Sequence, residues 1–556
     1  MNSPASTSSA VARPSQPAGP SLTHTASSSR CPVTDQTSAS EDPTPYTSHR
    51  LSDFGWLFAV GLIAVALCLP FILYVWWLGD EGVTLHGAER MLRGDRIYLD
   101  FFEFLPPGCF AITATWFKVT GVSLVSARAL AIVTAAAIAC FTYLASRQAS
   151  KHAPSSAFIA VGWVVLTQGN WTVVFHQWFT TLFVIIAAWA TLVGIERSQR
   201  WPRWSLTAGI VAGAAAMVTP SRGALAILAA ATPFANVHRY WRELIVYLLG
   251  ATLVPIFTVA YLVWQGALTE AFEDVILFPV KHYISIQPVP FGFETIFPVK
   301  WLFPLTALLA ILTCARLWPT SLSDRVLQTC AAFALAGFIG CYPRPDSAHL
   351  LYAVASVCPL LAYCMRQLTT HWQPRYRYAV AAVAIAFLFP AVHLYEQWVR
   401  IALHGKIVRM PRGWVMLAPR LDPLSTGELG ARIGATPSGD AYFFYPYDAM
   451  LPFLTARRHV SRYDIFQPGY TPPSQYQEAC VSAMQSAAWV VIDRTWTDPK
   501  FLTAIFPAMH DAQPPETIKF EKALETGFEL VALAGKFELR RRVRAVDESV
   551  CASITS

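Results

Sequence analysis

Charge is scarce in this chain. Of 556 residues only 14% are charged, against 54% that are hydrophobic, where a soluble globular domain carries roughly 25% charge. That deficit excludes an ordinary soluble protein and points to an integral membrane protein. The net charge of +7 is modest, and no nucleic-acid partner is expected. Several motifs are absent too. There is no Gly-rich phosphate loop, Cys-x-x-Cys cluster, His-Glu-x-x-His helix or Gly-x-Ser-x-Gly elbow, so nucleotide-driven transport and membrane hydrolysis have no motif support. The start lacks a basic-then-apolar segment, so no cleaved signal peptide is expected. No internal repeat is visible. Cysteine does not form a framework either: Cys68, Cys140, Cys314, Cys330, Cys358 and Cys364 lie inside apolar runs and read as small core residues. Only Cys480 and Cys551 share an expected soluble region, where one disulfide could form.

What the chain does have is long apolar runs, with 19 Trp and 20 Tyr to populate interfacial belts. Residues 1–50 are rich in Ser, Thr, Pro and Ala without apolar periodicity and are expected to be a disordered cytoplasmic tail. Residues 51–398 hold about eleven spans of the length a bilayer requires, from Phe54–Trp76 to Tyr378–Trp398. Arg147 and Lys151, then Arg197, Arg200 and Arg203, then Arg239 and Arg242 fall in alternate loops. By the positive-inside rule those loops are cytoplasmic, and an odd span count places the C-terminus outside. Residues 399–556 change character. Asp440–Tyr445 and Ala488–Asp493 read as buried strands, with helical patterns near Tyr476–Ala487 and Pro499–Met509. An extracytoplasmic α/β domain of about 150 residues is expected there.

The first outer loop, residues 77–125, opens with Asp80-Glu81-Gly82. Adjacent carboxylates at a membrane boundary are costly if buried, and could simply favour the N-terminal dipole of a helix. From Glu81 to Gly94, Leu85, Ala88 and Leu92 fall at helical spacing opposite His86, Arg90 and Arg93, as in a helix lying in the interface. Pro107 could open a second helix with Phe110, Ala114 and Phe117 on one face. Tyr98, Asp100 and Glu103 are secondary site candidates between the two.

The other outer loops hold further polar groups. His176 precedes Trp178-Phe179 and reads either as an interfacial anchor or as a site residue. Arg222, at a helix break after Pro220, suits a phosphate contact or a snorkelling role. Lys281 and His282 lie in a long loop with Glu270, Glu273 and Asp274, where salt pairing competes with phosphate binding. Arg344, Asp346 and His349 crowd the last outer loop, and the first two could pair with each other.

The order Asp80-Glu81, Gly94-Asp95-Arg96-Ile97-Tyr98-Leu99-Asp100 and Pro106-Pro107-Gly108 resembles the first external loop of GT-C class glycosyltransferases that use polyprenyl-phosphate sugars. The nearest branches are the protein mannosyltransferase-like and aminoarabinose transferase-like ones. The likeness covers Phe54 to Ser146 well and the rest by topology. It implies two juxtamembrane helices, an inverting transfer at the outer face of a bacterial inner membrane, Asp80 as general base, and Glu81 positioning it or binding a divalent metal. Partners would be a polyprenyl-phosphate-linked sugar, a glycan, lipid or protein acceptor, and membrane lipids. His176 within His-x-Trp-Phe, and the run from Arg344 through Asp346 to His349, resemble family patterns and imply substrate or lipid-phosphate contacts. One departure bears on the metal: the loop Gly169–Gln177 contains no Asp or Glu. The rival readings are a transporter or lipid-carrier flippase, which would place its charges near the bilayer midplane, and an inactive GT-C-like assembly protein.

Overall fold

The computed structural model describes residues 46–197, 200–295, 297–370, 374–543 and 549–555. Of the tail expected over residues 1–50, residues 1–45 lie outside the described ones, and 46–50 already belong to the first helix. Leu51–Ser556 forms one compact unit.

In chain order the helices are α1 (Tyr46–Cys68), α2 (Asp80–Arg93), α3 (Gly108–Thr120), α4 (Leu124–Ser150), α5 (Ala153–Trp171), α6 (His176–Glu196), α7 (Trp201–Ala216), α8 (Pro220–Ala231) and α9 (Val237–Gln265). Short α10 (Leu268–Phe272) and α11 (Ile284–Ile286) occupy the next loop, followed by α12 (Phe297–Arg316), α13 (Arg325–Ile339), α14 (Ser347–Thr369) and α15 (Pro374–His404). A helix coincides with each expected span. Among the described residues six segments, at α1, α4, α6, α9, α12 and α14, are long and apolar enough to cross a membrane. The protein is a polytopic α-helical membrane protein.

The first span differs from expectation. It leaves the α-helix at Cys68 instead of Trp76, turning through Leu69–Phe71. Pro70 is the cause, because it lacks an N–H and its ring clashes with the preceding turn. The freed chain becomes β1 (Tyr74–Val75), which pairs in parallel with β3 (Gly413–Leu417) beyond the last span; β2 (Ile407–Met410) completes that small sheet. Residues just before Asp80 are therefore bonded to residues just after α15.

The remaining segment adds α16 (Pro423–Gly434), α17 (Met450–Thr455), α18 (Pro473–Ser486), α19 (Pro499–Ile505), α20 (Pro515–Gly527) and α21 (Ser549–Ala552). Its second sheet has strands β4 (Tyr442–Tyr445), β5 (Trp489–Asp493), β6 (Phe528–Ala534) and β7 (Phe537–Arg542) in the order β4-β5-β7-β6. Strands β4 and β5 are parallel, whereas β5 and β7 are antiparallel. Cys480 and Cys551 form a disulfide between α18 and α21.

Helix α2 starts at the acidic pair and ends at Gly94, whose φ of 99° supplies the left-handed C-cap. Its charges follow the dipole, with Asp80 and Glu81 in the first turn and Arg90 and Arg93 in the last. Its polar face, expected opposite the apolar one, is not open to solvent at His86 and Arg90. Glu81 through Arg90 are all buried, including His86 and Glu89. The reason is the segment after α15, which covers the polar face: His86 Nδ1 pairs with Asp464 at 2.9 Å, Arg90 donates to Ser461 O at 2.8 Å, and Glu89 pairs with Arg412. Of the apolar face, Leu85 and Ala88 are buried and Leu92 is exposed.

Candidate active site

One cavity of about 280 Å3 lies where α2, the N-terminal end of α6, the loop before α14 and the C-terminal segment meet. Asp80, at the first turn of α2, lines it. Its Oδ1 accepts a hydrogen bond from the Tyr447 hydroxyl at 2.5 Å. Burial pushes the Asp80 carboxyl above the ordinary carboxylate range, opposed by the Tyr447 hydrogen bond and by His349 and Arg344, while Asp346 adds to the rise. A carboxylate so placed is a stronger base than one in water.

Glu81, one residue on, points elsewhere. It forms a buried ion pair with Arg128 of α4, with Nη2 to Oε2 at 2.8 Å, and accepts from the Val174 N–H at 2.9 Å. Arg128 also donates to Tyr74 O at 2.9 and 2.6 Å. With every strong partner taken, Glu81 does not line the cavity and is not placed to touch a substrate there.

The loop before α14 supplies the next group. Arg344 Nε donates to Asp346 Oδ2 at 2.7 Å, and Nη2 donates to Ile505 O at 2.8 Å. Asp346 caps α14, accepting from His349 N at 3.1 Å while its Oδ1 lies 2.8 Å from His349 Nδ1. Burial opposes ionisation of Asp346, but His349 and Arg344 outweigh it and hold its carboxyl down at about 2. All three side chains line the cavity with His176.

The other expected residues divide. Glu103 is buried and lines the cavity, and burial together with Asp464 holds its carboxyl well above its usual range. Arg222 stands one layer back. It donates to Gln177 Oε1 at 2.6 Å and to Tyr352 O at 3.0 Å, bracing two cavity-lining residues without lining the cavity itself. Lys281 is exposed, and neither it nor His282 lines the cavity. The same loop instead turns Tyr283 and Gln287 inward, leaving the ammonium in water, where desolvation costs nothing. Tyr98 is a fully buried loop residue donating to Leu105 O at 2.6 Å. Asp100 pairs with Arg96 on the surface, and that hydrogen bond holds its carboxyl below the usual range.

No motif in the sequence marks several other lining residues, and eight of them come from beyond α15. Arg420 donates through Nε and Nη2 to Trp76 O at 3.0 and 2.6 Å, with its guanidinium over the Trp76 and Trp77 rings. Arg420 is exposed at the surface, but partial desolvation by its surroundings lowers its pKa to about 10, which leaves it cationic at neutral pH. Tyr447, Tyr470, Trp496 and Phe506 complete the wall. Tyr447 follows a buried strand, and the carboxyl ends of strands in α/β folds often carry sites; nothing local marks Arg420. Among the described residues no three His, Cys, Asp or Glu side chains converge to hold a metal ion. Asp346 and His349 engage each other, and Glu81 is held by Arg128. No all-protein cage for a divalent metal is present among the described residues.

No protein-family model matches the chain, and no curated protein matches it. Solved structures do. ArnT from Cupriavidus metallidurans bound to undecaprenyl phosphate aligns over 90% of this chain and 99% of its own, with a TM-score of 0.53 and 14% identity. Its apo state gives the same TM-score and identity over 91% of this chain. The arabinofuranosyltransferase AftD from Mycobacteria aligns over 88% of this chain and 40% of its own, at 12% identity and a TM-score of 0.46. The alignment with ArnT over most of both chains shows that this chain has the GT-C glycosyltransferase fold.

Proposed function

We propose that the protein is a glycosyltransferase that moves a sugar from a polyprenyl phosphate to an acceptor hydroxyl, with Asp80 as general base. The observation that carries this reading is the gathering of Asp80, Arg344 and Arg420 around one cavity. The chemistry asks for little else. Asp80 takes the proton of the acceptor hydroxyl as that oxygen bonds to the anomeric carbon. The bond from that carbon to the phosphate oxygen breaks, and its electron pair leaves with the polyprenyl phosphate. Arg420 and Arg344 are cations suited to the phosphate, whose oxygens match the guanidinium fork. Direct displacement inverts the anomeric centre. His176 and Glu103 are assigned to the sugar or acceptor, and Arg222 holds Gln177 and Tyr352 in place behind them. No step requires a metal.

The cavity sits at the end of the bundle that carries α2 and the C-terminal segment, which fits a reaction at the outer face of a bacterial inner membrane with residues 399–556 outside. The Cys480–Cys551 disulfide supports that side, since disulfides persist in oxidising compartments. The polyprenyl donor is supported by the undecaprenyl phosphate bound to ArnT. The test is mass spectrometry of lipid-linked sugars and surface glycans in a strain lacking the gene, complemented with the wild-type protein or with Asp80→Asn. The expected result is donor build-up and product loss in both the deletion and the Asp80→Asn strain. Full product with Asp80→Asn would overturn the assignment of the base.

A further inference from the structure

The start of α2 is clamped by a segment far away in sequence. After β4 the chain from Pro446 to Met450 docks onto residues 78–82. Met450 N donates to Leu78 O at 2.7 Å. A Cβ on Gly82 would stand 2.0 Å from Met450 N, and one on Gly79 would stand 2.6 Å from the Tyr447 ring. Such approaches leave no slack between the first turn of α2 and Tyr447. The Tyr447 ring is buried and packs edge-on against Trp496 at 5.0 Å. From that position its hydroxyl reaches Asp80 Oδ1 at 2.5 Å, the sole hydrogen bond to this carboxylate among the described residues.

We propose that Tyr447 is the positioning residue of Asp80: its hydroxyl holds one carboxylate oxygen and leaves the other to receive the acceptor's proton. The inference rests on Asp80 being the base. A phenol is a neutral donor at physiological pH, so it stabilises the carboxylate more than the carboxylic acid. Burial disfavours ionised Asp80, and the Tyr447 hydrogen bond counters that. The other groups facing Asp80 are His349 and Tyr352 of α14, Arg344 and Asp346 before it, Tyr283 of the loop after α9, and Arg420 beyond β3. None of these donates a hydrogen bond to it among the described residues. During transfer the acceptor proton passes to the open oxygen of Asp80, and Tyr447 neither gains nor loses one. The C-terminal segment thus supplies part of the catalytic geometry as well as a wall.

The test is Tyr447→Phe in the full-length protein in nanodiscs, which keeps the ring against Trp496. Infrared difference titration reads the carboxyl band that Asp80→Asn abolishes, without substrate. The expected result is a midpoint displaced to higher pH in Tyr447→Phe, with transfer lost mainly on the acid side of the pH profile. Fluorotyrosine at position 447, a stronger donor of nearly the same shape, is expected to displace the midpoint to lower pH and serves if Tyr447→Phe fails to fold. An unmoved midpoint, or a uniform loss of activity across pH, would overturn the proposal. Full transfer by Asp80→Asn would overturn the base instead, and the infrared reading distinguishes the two failures.

Discussion

The two sides of the α2 N-terminus treat neighbouring carboxylates in opposite ways. Toward the bundle, Glu81 is locked to Arg128 and to the Val174 N–H, with neither partner of the ion pair exposed by more than 3%. Toward the cavity, Asp80 has one hydrogen bond and cations that approach without touching it. A buried charge serves structure when its partners saturate it, and can serve chemistry when they do not. A saturated pair has no capacity left for a proton, whereas an unsaturated carboxylate with a raised pKa has both capacity and driving force.

This contrast can be broken first from the bundle side. Arg128→Ala strands Glu81 in a dry site, and removal of one partner of a buried pair costs about 3–5 kcal/mol. Thermal unfolding in detergent is expected to show a large loss of stability; an unchanged transition would mean that water already solvates Glu81. On the cavity side Asp80→Asn is expected to leave unfolding unaltered and to reduce transfer by roughly 10²–10⁴-fold, the usual contribution of a general base. Arg420→Gln should then weaken donor binding by about ten-fold or more, as expected for one charge-assisted hydrogen bond. That loss would appear in the donor KM. Similar KM values for both proteins would remove Arg420 from the phosphate site.

A pH experiment sharpens the picture further. Asp346 has a folded pKa of about 2, below the unfolded value of about 3.9. Its stabilising effect is therefore fully present above the unfolded value and is lost as pH falls from about 4 toward 2. Asp346→Asn should flatten the fall in stability over that window, as read by unfolding temperature against pH. The smallest effect is expected from Lys281→Ala. That side chain is exposed and away from the cavity, so transfer and stability should stay near wild type; a large loss of activity would return the loop to the site.

Much of this arrangement was legible before any coordinates. Pro107 and Gly94 mark helix limits that the backbone obeys, and Phe110, Ala114 and Phe117 do form the buried face of α3. The strands through Tyr442–Tyr445 and Trp489–Asp493 also fall where their apolar runs lie. What escaped reading was contact across long separations. His86 and Arg90 look like a solvated helix face by periodicity, yet Asp464 and Ser461 O cover them. Lys281 suits phosphate by loop position, yet the cavity is lined by Arg420 and not by Lys281.

The sequence by itself determined the membrane class, the run of spans and a helix beginning at two carboxylates, because each depends on composition and short-range periodicity. It could not decide which carboxylate faces the cavity. Successive residues on a helix point about 100° apart, so the answer depends on what surrounds the helix. Arg128 lies 47 positions from Glu81, and Tyr447 lies 367 positions from Asp80. Only the tertiary structure brings those partners in, one to saturate a charge and the other to hold it ready.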